Sequence, residues 1–460
     1  MALADPEAEA PRGLRARILA SAKLSTLNFA TTVVVRLAST IILTRLLAPD
    51  IYGIFAVVLV YAYLLEMVSD LGLRSLILTY ERVPHPGFLR TCWTVSVLRG
   101  AAIAAVSALI GLLIWLLDGW GAFAPGSAYV AAEVPWAIAA LGLSSLIRSF
   151  QTPMLFMAER EMRFARPTAL RIAVTVAGLP ITIALAVAMQ SVWALVAASI
   201  LTSALQAALS LALFPGLRPG VSLERADLRP IVDRGKWIVG HSTLTALARS
   251  ADQIVLGLIL TSTTFGFYFI ARQIIDLVLT FLTSMHAQMD MQVFGEMLRK
   301  PVAAFRRDYY RYRLPFDALA GLAAGGLVVA APLAVSILYD DRYGEVARFM
   351  QVLAVGLLLV GPMLSRAVLG AERRFREMTV LGLVSTGTLW IGLGVAVLGL
   401  RSVDAALVVI ALHQVPEVAL LWREGARRGW ILPAREAMPL AFALLGAALG
   451  ALATRLAGLL

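Results

Sequence analysis

Long apolar runs separated by short clusters of charge make up most of the chain. Neither the two-residue alternation of a half-buried strand nor a polar face recurring every three to four residues is sustained through them. A helix needs roughly 20 apolar residues to cross the hydrocarbon of a bilayer, and most of these runs meet that length. The pattern predicts thirteen spans, near 24–47, 53–73, 91–117, 134–157, 168–189, 191–213, 237–260, 265–290, 314–338, 347–370, 378–398, 403–421 and 437–459. With no barrel alternation, the backbone must satisfy its hydrogen bonds inside helices. The expected fold is an all-α polytopic membrane protein.

One stretch occurs twice. Arg36–Gly53 (RLASTIILTRLLAPDIYG) aligns with Arg249–Gly266 (RSADQIVLGLILTSTTFG), 213 positions later, matching Arg36, Ala38, Ile41, Leu43, Leu47 and Gly53 to identical residues. The same offset lays Ala158-Glu159-Arg160 on Ala371-Glu372-Arg373, and Arg163 on Arg376. Two stretches in one register predict a duplication. The expected domains are a first lobe, 1–213, with six spans; a cytoplasmic linker, 214–236, with a surface helix; a second six-span lobe, 237–421; and a C-terminal extra span within 422–460. An even number of spans per copy makes the two lobes parallel repeats.

Composition agrees. Apolar residues make up 60% and charged residues only 15%, where a soluble domain carries about a quarter charged. Mean hydropathy is +0.81. The net charge of +11 could suggest nucleic acid, but its distribution is topological. Alternate inter-span segments hold nearly all of it: Arg12 to Lys23; Arg74, Arg82 and Arg90; Arg160 to Arg171; Arg218 to Lys236; the run from Arg299 to Arg313; Arg373 to Arg376; and Arg423 to Arg435. These are the expected cytoplasmic segments, which puts the N-terminus inside and brings the basic residues against membrane lipid. No nucleic-acid partner is expected. The single cysteine, Cys92, excludes an internal disulfide. The first apolar run contains Arg36 and has a duplicate, so it reads as part of the fold rather than a signal peptide. No segment between spans is long enough for a catalytic domain, and no metal, nucleophile or nucleotide motif occurs, so neither an enzyme nor a cofactor is expected.

Six arginines fall well within spans: Arg36, Arg99, Arg148, Arg249, Arg272 and Arg366. One at a helix centre costs about 2.5–3.5 kcal/mol on insertion scales. Several together imply a wet or paired interior. Arg99 and Arg366 are near enough to the inner surface to snorkel. Arg148 is deeper, with a tie to a glutamate or carbonyl competing evenly with a ligand role. Arg36 and Arg249 are mid-span at equivalent repeat positions, and Arg272 follows on the next helix. Structural salt bridges with Asp252, three residues from Arg249, and Asp276, four from Arg272, are one reading. The other is a cluster facing a central cavity, where guanidinium forks suit phosphate oxygens. Glu66 and Asp70 stand one turn apart, as do His413 and Glu417. Glu66, Asp70, Asp252 and Glu417 are candidates for ion coupling or counter-charges to the arginines. His286 and Asp290 belong to the wet inner end of their span.

The segment TRLLAPDIYGIFAVVLV (Thr44–Val60), followed by SDLGLRSLI (Ser69–Ile77), resembles the Wzx-type oligosaccharide flippases and related polysaccharide biosynthesis proteins of the multidrug/oligosaccharidyl-lipid/polysaccharide exporter superfamily. The resemblance is sharpest over 24–90, and the duplicated layout extends it to about 421. It implies two six-helix lobes around a central cationic cavity, plus one or two extra C-terminal helices. It also implies alternating access that carries a polyprenyl-diphosphate-linked oligosaccharide to the outer leaflet of the bacterial inner membrane, for O-antigen, exopolysaccharide or capsule. Arg36 and Arg249 match first-helix positions of the two lobes, and with Arg272 and Arg148 they are the expected diphosphate ligands. A polysaccharide polymerase and a chain-length regulator are the partners such export implies. A lipid II-type flippase, a drug or cation antiporter (which would want an acidic cavity) and a non-transporting scaffold of polysaccharide assembly are the alternatives.

Overall fold

The structure, a computed structural model, describes residues 14–80, 84–217, 220–284 and 290–458. Arg12, Arg82, Arg218 and His286 lie outside the described residues. Among the described residues there are twenty α-helices and no named strand. They are α1 (Leu14–Leu46), α2 (Pro49–Val68), α3 (Leu73–Thr79), α4 (Pro86–Gly119), α5 (Val134–Ser149), α6 (Met154–Arg160), α7 (Ala165–Met189) and α8 (Val192–Leu213). Then come α9 (Arg225–Ile259), α10 (Ser262–Ser284), α11 (Asp290–Met297), α12 (Val302–Leu338), α13 (Val346–Ala354), α14 (Val360–Met363) and α15 (Ser365–Ala371). The chain ends through α16 (Phe375–Gly394), α17 (Val403–Leu412), α18 (Val415–Arg427), α19 (Pro433–Glu436) and α20 (Met438–Leu456).

Eleven helical segments are long and apolar enough to cross a membrane among the described residues. The two other predicted spans are helical as well: α5 is short and apolar, and α9 carries the span at 237–260 in its second half. This is a multi-pass, all-helical membrane protein. Several boundaries differ from the sequence reading: the span expected over 134–157 is split between α5 and α6, that over 403–421 between α17 and α18, and two others have identifiable causes. The span expected at 314 begins at Val302, because Phe305, Tyr309, Tyr310, Arg313, Phe316 and Asp317 form one buried face at helical spacing. The interleaved arginines hide that period in the sequence. The span expected over 347–370 is broken into α13, a 3-10 stretch at Val355–Leu359, α14 and α15. Pro362 supplies no amide donor in this stretch, so the regular ladder cannot run through it.

The helices cluster into two compact units. The first takes the chain up to Leu47, then Val58–Ala122 and Ala132–Leu247; the second takes Ala48–Val57, Phe123–Ala131 and everything from Ala248. Within the second unit the duplicated stretches meet each other. A Cβ on Gly53 would strike the Ser262 carbonyl, and a Cβ on Gly266 would strike the Pro49 carbonyl. Pro49 and Ser262 are themselves 213 positions apart, so the contact is reciprocal, as a two-fold relation between repeats would make it. The 3-10 turns at Ala128–Val130 and Asp341–Tyr343 keep the same offset.

The second sequence match does not keep it. The turn after α6 closes with Arg163 N–H donating to the Ala158 carbonyl and Met162 at φ 58°; the turn after α15 closes with Arg374 N–H donating to the Leu369 carbonyl and Arg373 at φ 59°. Those turns correspond at an offset of 211, so Glu159 and Glu372 are not equivalent positions. Local sequence identity there is misleading by two residues.

The C-terminal helix is integral to the second unit. Cβ atoms on Gly321 and Gly325 of α12 would collide with the Pro439 and Ala443 carbonyls of α20, and one on Gly446 with the Leu322 carbonyl. Small residues let these two backbones approach closely, which is how helices associate where no hydrophobic drive separates protein from lipid.

Candidate functional site

The first unit holds a cavity of about 170 Å³ whose lining includes Glu66, Asp70, Arg74, Arg99, Arg148 and Ser145. Three helices bring its charges together: α2 carries Glu66, α4 Arg99, and α5 Ser145 and Arg148. Glu66 is the hub. Arg99 Nη2 donates to Glu66 Oε2 at 2.9 Å and to the Glu66 carbonyl at 2.7 Å, while its Nε donates to Ser69 Oγ at 3.0 Å. Ser145 Oγ donates to Glu66 Oε1 at 2.6 Å, and Arg148 Nη2 pairs with the same oxygen. One carboxylate thus faces two guanidinium groups and a hydroxyl.

Asp70, one turn on, points elsewhere. Its Oδ1 accepts from the Gly72 N–H at 2.9 Å, fixing the turn in which Gly72 takes φ 64° before α3 starts. Arg74, the second residue of α3, pairs with the buried Glu159 at 2.8 Å, and Arg171 closes on the other Glu159 oxygen. Arg160 donates to the Ile77 and Tyr80 carbonyls, each at 2.7 Å, satisfying acceptors that the end of α3 leaves open.

In the second unit Asp252 is nearly inaccessible, 2% exposed, and is held by Tyr268 Oη and Arg272. Arg272 Nε also meets Asp276 Oδ1 at 3.1 Å. The tie from Arg249 to Asp252, one of the two readings above, is not formed: α10 supplies the partner of Asp252 across the helix pair. Arg366 Nη1 meets the buried Glu417 at 3.1 Å and its Nη2 donates to the Met378 carbonyl. His413 sits at the break between α17 and α18, with Nδ1 2.8 Å from the Ile410 carbonyl. Asp290 accepts from Tyr312 Oη at 2.8 Å and is buried, not wet as expected.

Arg36 and Arg249 stand apart from these. Both side chains are exposed, at the middle of the predicted spans, and neither has an ion-pair or hydrogen-bond partner for its guanidinium among the described residues. Arg148 and Arg272, the other two expected diphosphate ligands, already have carboxylate partners.

Sequence reasoning missed one ionic centre altogether. Arg313, counted above with the cytoplasmic basic run, is 0% exposed. It reaches Glu436 Oε2 at 2.6 Å and Asp317 at 3.0 Å, with Tyr309 Oη at 3.3 Å and the Tyr309 and Tyr310 rings each 5.9 Å away. The four-residue spacing to Asp317 was available as a signal; Glu436, 123 residues on, was not. Outside the spans, burial raises the Glu372 carboxyl above its usual range although Arg374 opposes this, and Arg428 grips both its oxygens at 2.7 and 2.6 Å.

Comparison with known proteins adds the family context. The family model described as "Polysaccharide biosynthesis protein" matches residues 42–348. Among solved structures the chain is similar to a multidrug resistance MATE family transporter of the MOP superfamily in its inward-facing conformation, with a TM-score of 0.64 and 16% identity over 86% of this chain and 94% of that one. It is also similar to the lipid II flippase MurJ in an inward closed conformation, with a TM-score of 0.61 and 9% identity over 95% and 99%. An outward-facing MATE transporter of the same superfamily gives 0.52 and 14% over 90% and 95%. At these identities the likeness is one of fold. No curated protein sequence matches the chain.

Proposed function

The chain belongs to the polysaccharide biosynthesis protein family, and on that premise we propose that it is a flippase for a polyprenyl-diphosphate-linked oligosaccharide. It works in the bacterial inner membrane, with the N-terminus cytoplasmic, and supplies a surface polysaccharide. A polymerase and a chain-length regulator are its proposed downstream partners. The observation that carries the reading is the pair of exposed arginines at matching positions of the duplicated stretch, Arg36 and Arg249, neither of whose guanidinium groups has a partner among the described residues. An unpartnered guanidinium in the middle of an apolar helix is costly unless something anionic meets it. A diphosphate is that anion, while the prenyl tail stays in lipid and the sugars need only a polar path. Arg148 and Arg272 are the further proposed diphosphate ligands, once their carboxylates let go. Glu66, Asp252 and Glu417 are the proposed ion-linked groups. Asp70 keeps a turn-forming role in this reading.

The test is complementation of polysaccharide export, with membrane protein level measured alongside. Arg36→Ala and Arg249→Ala each remove a charge-assisted contact worth about 1.5–3 kcal/mol, so apparent affinity for the lipid-linked sugar falls at least roughly tenfold. Lys restores part of it, keeping charge without the bidentate fork. Well-inserted Ala variants that export normally would refute the assignment. A lipid II-type substrate is the second reading, favoured by the fold shared with MurJ; depletion-rescue of peptidoglycan synthesis separates the two.

A further inference from the structure

We propose that Arg99 and Arg148 form an oxyanion-exchange site within the first unit, in which Glu66 is a built-in occupant that a substrate phosphate displaces. The inference rests on the proposed prenyl-diphosphate substrate for the identity of its anion, and on geometry for the rest. A carboxylate oxygen here accepts from Ser145 Oγ and Arg148, and its mate from Arg99. Guanidinium forks plus a hydroxyl make a donor shell that would serve a phosphate equally well. Arg148 uses one nitrogen, Nη2, for Glu66, and no other side-chain bond is formed by it among the described residues. A guanidinium has five N–H donors, so four are uncommitted. They are not sealed in: the Arg148 side chain is 43% exposed, and the cavity it lines also offers Arg74 and Ser149.

A permanent structural tie does not need this arrangement. The chain's own structural tie, at Arg313, is closed on every side at 0% exposure. At Glu66 the counter-ion instead lines an accessible cavity, where it offsets one of the two arginine charges in the empty carrier and leaves four of Arg148's five donors available. Exchange then replaces one oxyanion by another on the arginines and releases the Glu66 carboxylate of α2 from Ser145 and Arg148 of α5, while Arg99 of α4 keeps its bonds to Ser69 and to the Glu66 carbonyl. Binding of the anion and release of the α2–α5 tie become one event.

Full-length protein in detergent is tested with two probes, inorganic pyrophosphate and a polyprenyl diphosphate, by equilibrium binding. Glu66→Gln removes the competing charge and keeps the shape, so it should bind the anion at least tenfold tighter than wild type; Arg148→Gln should bind at least tenfold weaker. Both effects should persist in an Arg36→Ala, Arg249→Ala background, which separates this site from those two residues. Enhancement with both probes assigns recognition to the diphosphate itself, and enhancement with the lipid alone assigns it to the carrier; each upholds exchange. Equal affinities for wild type and Glu66→Gln, or effects that vanish in the double-Ala background, overturn it. A second measurement leaves Glu66 intact. Ser149→Cys in a Cys92→Ala protein should react with a neutral maleimide at least threefold more slowly in the presence of whichever of the two probes shows the enhancement, and an unchanged rate overturns the proposal.

Discussion

The Glu66 cluster of the first unit and the Arg313 cluster of the second are built from the same parts and differ in how far they are closed off. Each joins arginine to carboxylate on helices distant in sequence, with a hydroxyl donating to the carboxylate: Ser145 to Glu66 and Tyr310 to Glu436. At Arg313 all partners are buried, and aromatic rings of Tyr309 and Tyr310 close the remaining faces. At Glu66 the arginines are 23% and 43% exposed and a cavity adjoins them. Pairing alone therefore does not separate a staple from a site. What separates them is whether the guanidinium has space left over: Arg313 Nη2 is also without a hydrogen-bond partner among the described residues, but it is sealed in.

The largest effect that would sharpen this contrast is at the staple. Arg313→Leu leaves Asp317 and Glu436 buried without their counter-charge and should cost about 3–5 kcal/mol. Thermal unfolding in detergent should show it as the steepest loss among the charge variants. Replacing all three charges by apolar residues of similar size should recover most of that stability, because the ions no longer need compensation. Glu66→Ala is expected to cost less, about 1–3 kcal/mol, since the stranded arginines reach the cavity. If Glu66→Ala proves as damaging as Arg313→Leu, the distinction between the clusters fails. The smallest effect belongs to Arg348–Asp404, whose side chains are 61% and 64% exposed. Arg348→Ala should change stability by no more than ~1 kcal/mol.

Much of the fold could be read from run lengths, because a bilayer-spanning helix announces itself by apolar length alone. The structure is consistent with the expected repeat at Arg36–Gly53, where the backbone crossing demands glycine at both Gly53 and Gly266. The repeat was misread at Glu159, where two Ala-Glu-Arg triplets coincide in letters but not in the turn they form. Ionic partners were legible only when local. Arg272 does meet Asp276 one turn away, yet Asp252 ignores Arg249 for Arg272 and Tyr268 on the next helix. Glu66 lies 33 residues from Arg99 and 82 from Arg148, distances over which sequence pattern holds no geometric information. Arg313 was obscured for a different reason. Its basic neighbours made the whole run look like a cytoplasmic loop, and only the buried aromatic stripe of α12 shows otherwise.

The reciprocal crossing at Gly53 and Gly266 also sets an order of events during synthesis. The first turns of α2 are made early, but the backbone they fit against, around Ser262, follows 213 residues later. At the usual elongation rate of ~5–20 residues per second that is a wait of roughly 10–40 seconds. Throughout it, the segment Pro49–Val57 has been inserted without its native neighbour, presenting a small-residue notch to lipid and to every other helix nearby. Nascent chains stalled before residue 262 should therefore carry an accessible Gly53 surface that disappears once α10 emerges.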